Sequence, residues 1–294
     1  MLRSSERALP GRTAACPKLR VAHERNASLN ARTDGDVHWR AIVACVSDAY
    51  RATDRHAARF ASSKLRRDPV FRHVFEQGLI PPGATVLDLG CGQGLLACCA
   101  AVAADAQQRG VWPAAWGPAP TDTRIIGLEL SPRQLRRAPA GRLAAARFVL
   151  ADMRHADFPQ CDVVACIDTL HYMPLCEQDE VLLRARNALR AGGVLLLRVN
   201  DASAPLRWRL GLLIDRITRA AQGSGFEPVH GRTLEAWLAV LTRLDFEVEC
   251  RPMDGRLPFA NLLLVARAAG RRKTTFWPSD ELRDHLLSRQ LRPG

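Results

Sequence analysis

The sequence predicts an α/β protein built around a mostly parallel sheet of seven strands. Short apolar runs rich in β-branched residues alternate with segments of helical spacing, which is the rhythm of strand–helix–strand units. The last two predicted strands are joined only by a short, turn-rich loop. Because so short a loop has no room for a crossover helix, these two strands are expected to be antiparallel neighbours. We therefore expect helices on both faces of the sheet and an antiparallel last strand.

A helical cap is predicted before the first strand. Trp39, Ile42 and Val43 recur at helical spacing, and Asp68 followed by Pro69 is typical of an N-cap and the first position of a helix. The expected organisation is a disordered basic tail at 1–36, the N-terminal helical cap at 37–80, the main domain at 81–267 and a C-terminal tail at 268–294.

The elements of the main domain follow in order. Strands are predicted at residues 85–89, 124–128, 146–150, 162–167, 194–199, 246–251 and 259–266. Helices are predicted near residues 93–106, 131–138, 177–190, 206–221 and 232–243. Ser131 and Pro132 indicate the start of the second of these helices. The pair Gly192-Gly193 is expected to end the third helix before the fifth strand.

Composition excludes several classes of protein. The 294 residues are 47% apolar and 24% charged, which is typical of a globular chain and not of a disordered or fibrous one. The longest uncharged apolar run, from Leu95 to Ala104, is about half of the roughly 20 residues that a membrane span needs. The sequence therefore predicts a soluble protein without a membrane span.

The formal net charge of +12 is weaker evidence for nucleic-acid binding than its size suggests. Each predicted tail carries +3, so half of the excess lies outside the main domain. All but three of the 42 basic residues are arginines, and they are spread along the chain instead of clustering. Nine cysteines without a C-x-x-C pair indicate a reducing, cytoplasmic environment and no metal site.

A glycine loop follows the first predicted strand. It reads G-x-G-x-G through Gly90, Gly92 and Gly94, and Asp88 lies two positions before its first glycine. Such a loop lets a ligand approach the backbone and the amides of the following helix. Dinucleotide loops read G-x-G-x-x-G instead. A carboxylate here would repel a pyrophosphate but attract an ammonium or sulfonium group, so the loop favours S-adenosylmethionine over a dinucleotide.

With this loop, the segment from Thr85 to about Ala266 resembles the class I, Rossmann-like S-adenosylmethionine-dependent methyltransferases. The resemblance implies a cofactor-binding set of Asp88, Gly90, Cys91, Gly92, Glu129, Leu130, Asp152, Met153 and Asp168.

Four motifs carry this resemblance, in the family's order. The glycine loop would line the methionine portion, Glu129 would accept the ribose hydroxyls, Asp152 would take the adenine amino group and Met153 would pack on the ring. Asp168 ends the fourth strand, where the family opens its substrate cleft. Each acid alone is also explained as a cap or turn residue. Together, at the ends of consecutive parallel strands, they favour ligand binding.

His171 and His230 are the candidate catalytic residues. A histidine near neutral pKa suits the removal of a proton from an oxygen acceptor, although a structural role is the alternative for both. The Asp168-Thr169-Leu170-His171 sequence lacks the Pro-Pro-aromatic pattern used to hold a flipped base, and the chain has no Pro-Cys dipeptide. A nucleic-acid substrate is therefore not expected, and a small-molecule or carrier-linked acceptor is.

Two segments outside the cofactor motifs bear on the acceptor and on possible partners. The segment 107–123, with Trp112 and Trp116, is a long link between the first domain helix and the second strand, either packed on a helix or serving as a lid or partner site. The run 254–261, with this link and the Leu-Arg-Val-Asn-Asp end of the fifth strand, resembles methyltransferases of bacterial aryl polyene or xanthomonadin-type pigment pathways. This resemblance implies a phenolic acceptor, methylated on oxygen or on a ring carbon.

Two alternatives remain open at this point. One is a nicotinamide-dependent oxidoreductase on the same topology. The other is a cofactor-binding scaffold or partner subunit without catalysis, because function depends on the acceptor site and not on the fold.

Overall fold

The computed structural model describes residues 30–139, 141, 143–202, 229–253 and 261–269. The helices are α1 (Asn30–Arg51), α2 (Arg55–Arg67), α3 (Pro69–Glu76), α4 (Leu95–Gln108), α5 (Pro132–Leu135), α6 (Leu175–Ala188) and α7 (Leu234–Arg243). The strands are β1 (Thr85–Leu89), β2 (Arg124–Glu129), β3 (Ala146–Leu150), β4 (Cys161–Ile167), β5 (Leu189–Asn200), β6 (Phe246–Pro252) and β7 (Asn261–Ala268). Among these described helices, none combines the length and apolar character that crossing a bilayer requires.

All seven strands form one sheet in the order β3-β2-β1-β4-β5-β7-β6. The first five pair in parallel, whereas β7 runs antiparallel to both β5 and β6. The prediction of a seven-stranded, mostly parallel sheet with an antiparallel last strand is confirmed. The strand order reverses direction between β1 and β4, and the crevice at such a switch point is where α/β sheets bind ligands.

Helices cover both faces of the sheet because neighbouring strand residues alternate between two cores. In β5, Val194 and Leu196 join the core under α1–α4, whereas Leu195 and Leu197 join the core under α6 and α7. Strands buried on both faces need apolar residues at nearly every position, which explains their continuous apolar runs.

The third cap helix, α3, begins where the sequence indicates. Asp68 caps α3, since its carboxylate accepts a hydrogen bond from the Val70 amide at 3.1 Å and Pro69 occupies the first turn. α1 starts earlier than expected, at Asn30, so residues 30–36, assigned to the tail by the sequence, are helical.

Two local predictions about the domain helices are wrong. Gly192 and Gly193 do not end a helix, because α6 stops at Ala188 and β5 starts directly after it. Leu189 pairs with Cys161, but Val194 pairs with Val163, so the glycines lie in an irregular stretch of β5. The helix expected at 131–138 is only the single turn of α5. The helix expected near 206–221 and the loop 254–260 lie outside the described residues.

The long link between α4 and β2 packs against the cap. The rings of Trp112 and Trp116 meet edge to face at 5.1 Å, and the Trp112 indole N–H donates to the Gly117 carbonyl at 2.9 Å. The Gly117 amide in turn donates to the carbonyl of Glu76, at the end of α3, at 2.8 Å. The link is therefore packed structure, as the first of its two interpretations has it.

Candidate functional site

The predicted site residues lie at the carboxyl edge of the parallel strands. The glycine loop follows β1, Glu129 ends β2, Asp152 follows β3 and Asp168 follows β4. Because parallel strands end on the same side of a sheet, the four motifs, which are separate in sequence, lie along one edge of the sheet.

The glycine loop is held in a conformation that only glycine adopts easily. Gly90 and Gly92 have φ values of 72° and 56°. A Cβ at Gly90 would overlap the side chain of Thr169, whose hydroxyl donates to the Leu89 carbonyl at 3.1 Å. A Cβ at Gly92 would meet no atom of the described residues within 4 Å. Gly90 is thus required by packing of the loop onto the end of β4, whereas Gly92 faces open space.

Glu129 joins the loop to the end of β2. Its carboxylate accepts one hydrogen bond from the Gly92 amide at 2.9 Å and another from the Ser131 amide at 2.8 Å. The Glu129 carboxylate therefore holds the loop after β1 in place beside the end of β2. Its remaining lone pairs can accept hydrogen bonds from further donors.

Asp88 is buried under the loop, at the end of β1. Burial and, secondly, the nearby Glu129 carboxylate raise the pKa of Asp88 to about 7. Burial likewise raises the pKa of the Cys91 thiol, with Asp88 and Glu129 contributing. Two acids sharing so small a region make it energetically receptive to a cation.

Asp152 is engaged by a neighbour along the chain. Arg154 contacts it with two guanidinium nitrogens, at 2.6 Å and 2.9 Å to the same carboxylate oxygen, and this hydrogen bonding lowers the pKa of Asp152. Met153 packs against the core beneath β3, half-buried. Leu130 and Leu150, at the adjacent ends of β2 and β3, are 60% and 56% exposed. Both side chains are therefore accessible at the carboxyl edge of the sheet.

Asp168 lies in a cluster of four charges that links the cap to the sheet. Lys64 of α2 donates to Asp168 at 2.7 Å and to Asp68 at 2.6 Å, and Arg198 of β5 forms ion pairs with the same two carboxylates. Arg198 and Lys64 hold the pKa of Asp168 far below its usual range despite burial. The cluster carries two positive and two negative charges, so its members neutralise one another.

The two candidate histidines lie side by side. The His230 amide donates to the His171 carbonyl at 2.8 Å. The fully buried Gln178 side chain donates to the carbonyls of Met173 and His230, at 3.0 Å and 3.1 Å, and accepts from Arg232 at 2.9 Å. A polar hub on α6 therefore holds the segment containing His230 against the end of β4.

A cavity of about 10 Å³ opens between these elements, lined by Leu170, His171, Arg198, Val199, Asn200, His230, Gly231 and Trp237. A larger cavity of about 400 Å³ lies at the opposite edge, around Thr85 and Arg124 at the amino ends of β1 and β2. The larger one is remote from all of the predicted site residues. Of these two cavities, the smaller one is therefore the candidate site, because it lies at the carboxyl edge beside His171 and His230.

Sequence reasoning missed several residues of this edge. Lys64, Arg198 and Gln178 are distant in sequence from the motifs and gave no pattern of their own. Thr169, directly after Asp168, is the residue that requires Gly90. The only available signal for Lys64 was its rarity, as one of three lysines in an arginine-rich chain.

Comparison with known proteins identifies the part of the chain that contains this edge. Residues 87–195 match the sequence profile of a family described as a methyltransferase domain. That stretch runs from β1 into β5 and contains the glycine loop, Glu129, Asp152 and Asp168. No curated protein sequence matches the chain.

Solved structures resemble the chain in fold. An O-methyltransferase family 2 protein from Planctomyces limnophilus, in complex with apigenin, is 19% identical with a TM-score of 0.50, over 76% of this chain and 62% of its own. The pyocyanin biosynthetic protein PhzM is 18% identical with a TM-score of 0.51, over the same 76% and 62%. The chain has the class I methyltransferase fold.

The extent of these matches differs. The match spans less than two thirds of the length of the first two proteins. A chain in the complex of the Haloferax volcanii Trm112 methyltransferase activator with a putative methyltransferase is covered over 99% of its length, at 16% identity and a TM-score of 0.51. The shared part is therefore the Rossmann-like domain. At these low identities, the similarity shows a common fold and no more.

Proposed function

We propose that this protein transfers a methyl group from S-adenosylmethionine to a small-molecule or carrier-linked acceptor. The observation that carries the proposal is the arrangement of Asp88, Gly92 and Glu129 at the switch point of the sheet: a buried acid, an open loop glycine and a second acid bonded to the loop amide. The match of residues 87–195 to a methyltransferase domain supports the same conclusion.

The residues fit the cofactor in charge and in space. The raised pKa of Asp88 reflects an unfavourable buried negative charge beside Glu129, which an ammonium or sulfonium group would relieve. The space beside Gly92 lets a ligand contact the backbone. Glu129 has lone pairs left to accept ribose hydroxyls, and the exposed Leu130 and Leu150 offer apolar surface to an adenine ring.

In this proposal the cofactor supplies an electrophilic methyl group on a positively charged sulfur. The chain then needs chiefly to align the acceptor in line with that methyl, about 3 to 3.5 Å away, and to exclude water. An acceptor with a proton on its nucleophilic atom would have to lose that proton as it receives the methyl group. His171 and His230 are the candidate bases beside the cavity that would receive that proton.

The finer identity of the acceptor belongs to the same proposal. The resemblance to bacterial pigment methyltransferases implies a phenolic or other aryl group as the acceptor. The protein is proposed to act in the cytoplasm. The alternatives are a nicotinamide oxidoreductase and a non-catalytic cofactor-binding subunit, and both are outcomes of the test below.

The proposal is tested by ligand-induced thermal stabilisation. S-adenosylhomocysteine is expected to raise Tm in a concentration-dependent manner, and NAD is not, because only a ligand of the folded state stabilises it by mass action. Methyl transfer to a panel of phenols, measured with radiolabelled methyl donor, then separates an enzyme from a binding subunit. Stabilisation by NAD alone would overturn the proposal.

Replacing Glu129 is expected to weaken cofactor binding. Glu129→Ala removes charge-assisted hydrogen bonds worth about 1.5 to 3 kcal/mol, so calorimetry should give a Kd for S-adenosylhomocysteine about 10- to 150-fold higher. Glu247→Ala, at an exposed position of β6, is the matched control and should leave the Kd unchanged. An unchanged Kd in Glu129→Ala would remove Glu129 from the cofactor site.

The histidines are expected to differ in their effects. If His171 is the base, His171→Asn should lower kcat about 100-fold for the best phenol of the panel and abolish the acid limb of the pH profile. His230→Asn then serves as the comparison, since it shares the cavity and the backbone contact. If neither variant lowers turnover, base catalysis by these residues is wrong.

A further inference from the structure

Three residues that line the small cavity each carry a buried polar atom without a hydrogen-bond partner among the described residues. These atoms are Arg198 Nε, Asn200 Oδ1 and Trp237 Nε1, and all three residues line the cavity that also contains His171 and His230. A fourth such atom belongs to Asp105 and lies elsewhere, on α4. Buried polar groups are nearly always paired, so three orphans at one cavity indicate a missing polar group there.

The orphan atoms define the hydrogen bonding of that group. Arg198 Nε and Trp237 Nε1 each carry one N–H and can only donate, whereas Asn200 Oδ1 can only accept. The complement of two donors and one acceptor is a group with two lone pairs and one hydrogen. A hydroxyl group has that composition, and a water molecule also satisfies it.

Charge and size restrict the group further. The remaining guanidinium nitrogens of Arg198 are paired with Asp68 and Asp168, and Lys64 balances the cluster, so no net positive charge is left to attract an anion. The cavity volume of about 10 Å³ is close to the minimum that one water molecule needs. A single neutral oxygen therefore fits the cavity better than a carboxylate or a phosphate, which would bring a net negative charge.

We propose that this cavity is a subsite for a hydroxyl group of the acceptor that anchors the substrate and is not itself methylated. The inference rests on the proposed methyltransferase function. A hydroxyl that accepts from both Arg198 and Trp237 has no lone pair left to attack the methyl carbon. The acceptor must then carry a second nucleophilic group, and a dihydroxylated compound is the simplest class with both.

The test uses resorcinol and phenol as matched probes, each titrated by calorimetry into protein saturated with S-adenosylhomocysteine. Resorcinol is expected to bind more tightly than phenol. Trp237→Phe, which removes the indole N–H while keeping an aromatic ring, should raise the Kd of resorcinol about three- to ten-fold. In turnover, the same variant should raise KM for resorcinol and leave kcat within about two-fold, because anchoring is lost and the reacting centre is not.

Two further variants and a crystal structure complete the design. Asn200→Ala, which removes the acceptor atom, should act like Trp237→Phe. Trp112→Phe is the control, since its indole N–H bonds to Gly117 in the link packed on the cap. Equal binding of the two probes, or no effect of Trp237→Phe, overturns the inference, as does a crystal structure with resorcinol in which a water molecule still fills the cavity. Failure of S-adenosylhomocysteine itself to bind would instead overturn the proposed function.

Discussion

Asp168→Ala is expected to destabilise the protein by about 3 to 5 kcal/mol. The substitution leaves Lys64 and Arg198 with one carboxylate between them. Arg198 is buried and Lys64 is about three-quarters buried, and removing one partner from such a largely buried ion cluster has a cost of this size. Urea unfolding at pH 7 measures the loss as a lower midpoint with an unchanged slope.

The pH dependence of this loss has a definite sign. Because the pKa of Asp168 is lowered in the folded state, its contribution to stability is present above the unfolded pKa of about 3.8 and is lost as the pH falls through the folded value. The difference between the wild type and Asp168→Ala should therefore be full at neutral pH and shrink below about pH 4.

A double variant separates charge imbalance from loss of packing. Lys64→Met combined with Asp168→Asn removes one positive and one negative charge and leaves the pair between Arg198 and Asp68. Asparagine is chosen because position 168 has a φ of 59°, which asparagine tolerates better than an apolar side chain. Replacing a buried ion pair with uncharged groups is often neutral, so the double variant should recover most of the stability. A loss below about 1 kcal/mol in Asp168→Ala would mean that solvent screens the cluster.

The sequence was sufficient for the strands because each has a local signal. Thr85–Leu89 and Ala146–Leu150 occur at the predicted residues. The fully buried β1 needs apolar residues at nearly every position, whereas β3, at the edge of the sheet, is less buried and carries Phe148 and Val149, which favour strands. The short link before β7 also predicted its antiparallel pairing correctly. Gly192 misled the prediction because a glycine marks an irregular strand as readily as the end of a helix.

The charge cluster and the small cavity were beyond the reach of sequence patterns. Asp168 and Lys64 are 104 positions apart, and their pairing depends on how α2 packs over the end of β4. Asp68 was predicted only as a helix cap, yet it also binds Lys64. Contacts of this kind arise from tertiary packing, for which local periodicity has no signal.

The individual motifs, by contrast, could be found in the sequence, but the contacts between them could not be predicted. Glu129 and Gly92 lie on different strands, and only the folded chain reveals the hydrogen bond between them. His171 and His230 were separate candidates, and their proximity depends on the Gln178 hub. Their roles in binding and catalysis remain predictions.

Asp88→Asn is expected to make the ligand-free protein more stable at pH 8, by up to about 4 kcal/mol. The folded pKa of about 7 lies some three units above the unfolded value, and each unit is worth about 1.4 kcal/mol. A raised folded pKa means that wild-type stability is full below about pH 4 and falls as the pH rises to about 7. Asparagine keeps the side-chain shape without the charge, so the variant should escape this decline.

The same substitution should have the opposite effect on cofactor binding. A cation favours the ionised carboxylate, so the affinity of the wild type for S-adenosylmethionine should rise about ten-fold between pH 6 and pH 8 as Asp88 loses its proton. In Asp88→Asn the affinity should be about 10- to 100-fold lower at pH 8 and independent of pH over this range.

The opposite signs distinguish a ligand-binding acid from a structural one. Replacing a buried carboxylate that only serves the fold would lower both the stability and the cofactor affinity. Replacing a carboxylate that is buried at an energetic cost in order to bind a cation raises the stability and lowers the cofactor affinity. Asp122→Asn, at an exposed position before β2 with φ of 55°, is the matched control and should change neither quantity. Thermal unfolding from pH 4 to pH 8, with calorimetry at pH 6 and pH 8, measures both, and a variant less stable than the wild type at pH 8 would contradict this account of Asp88.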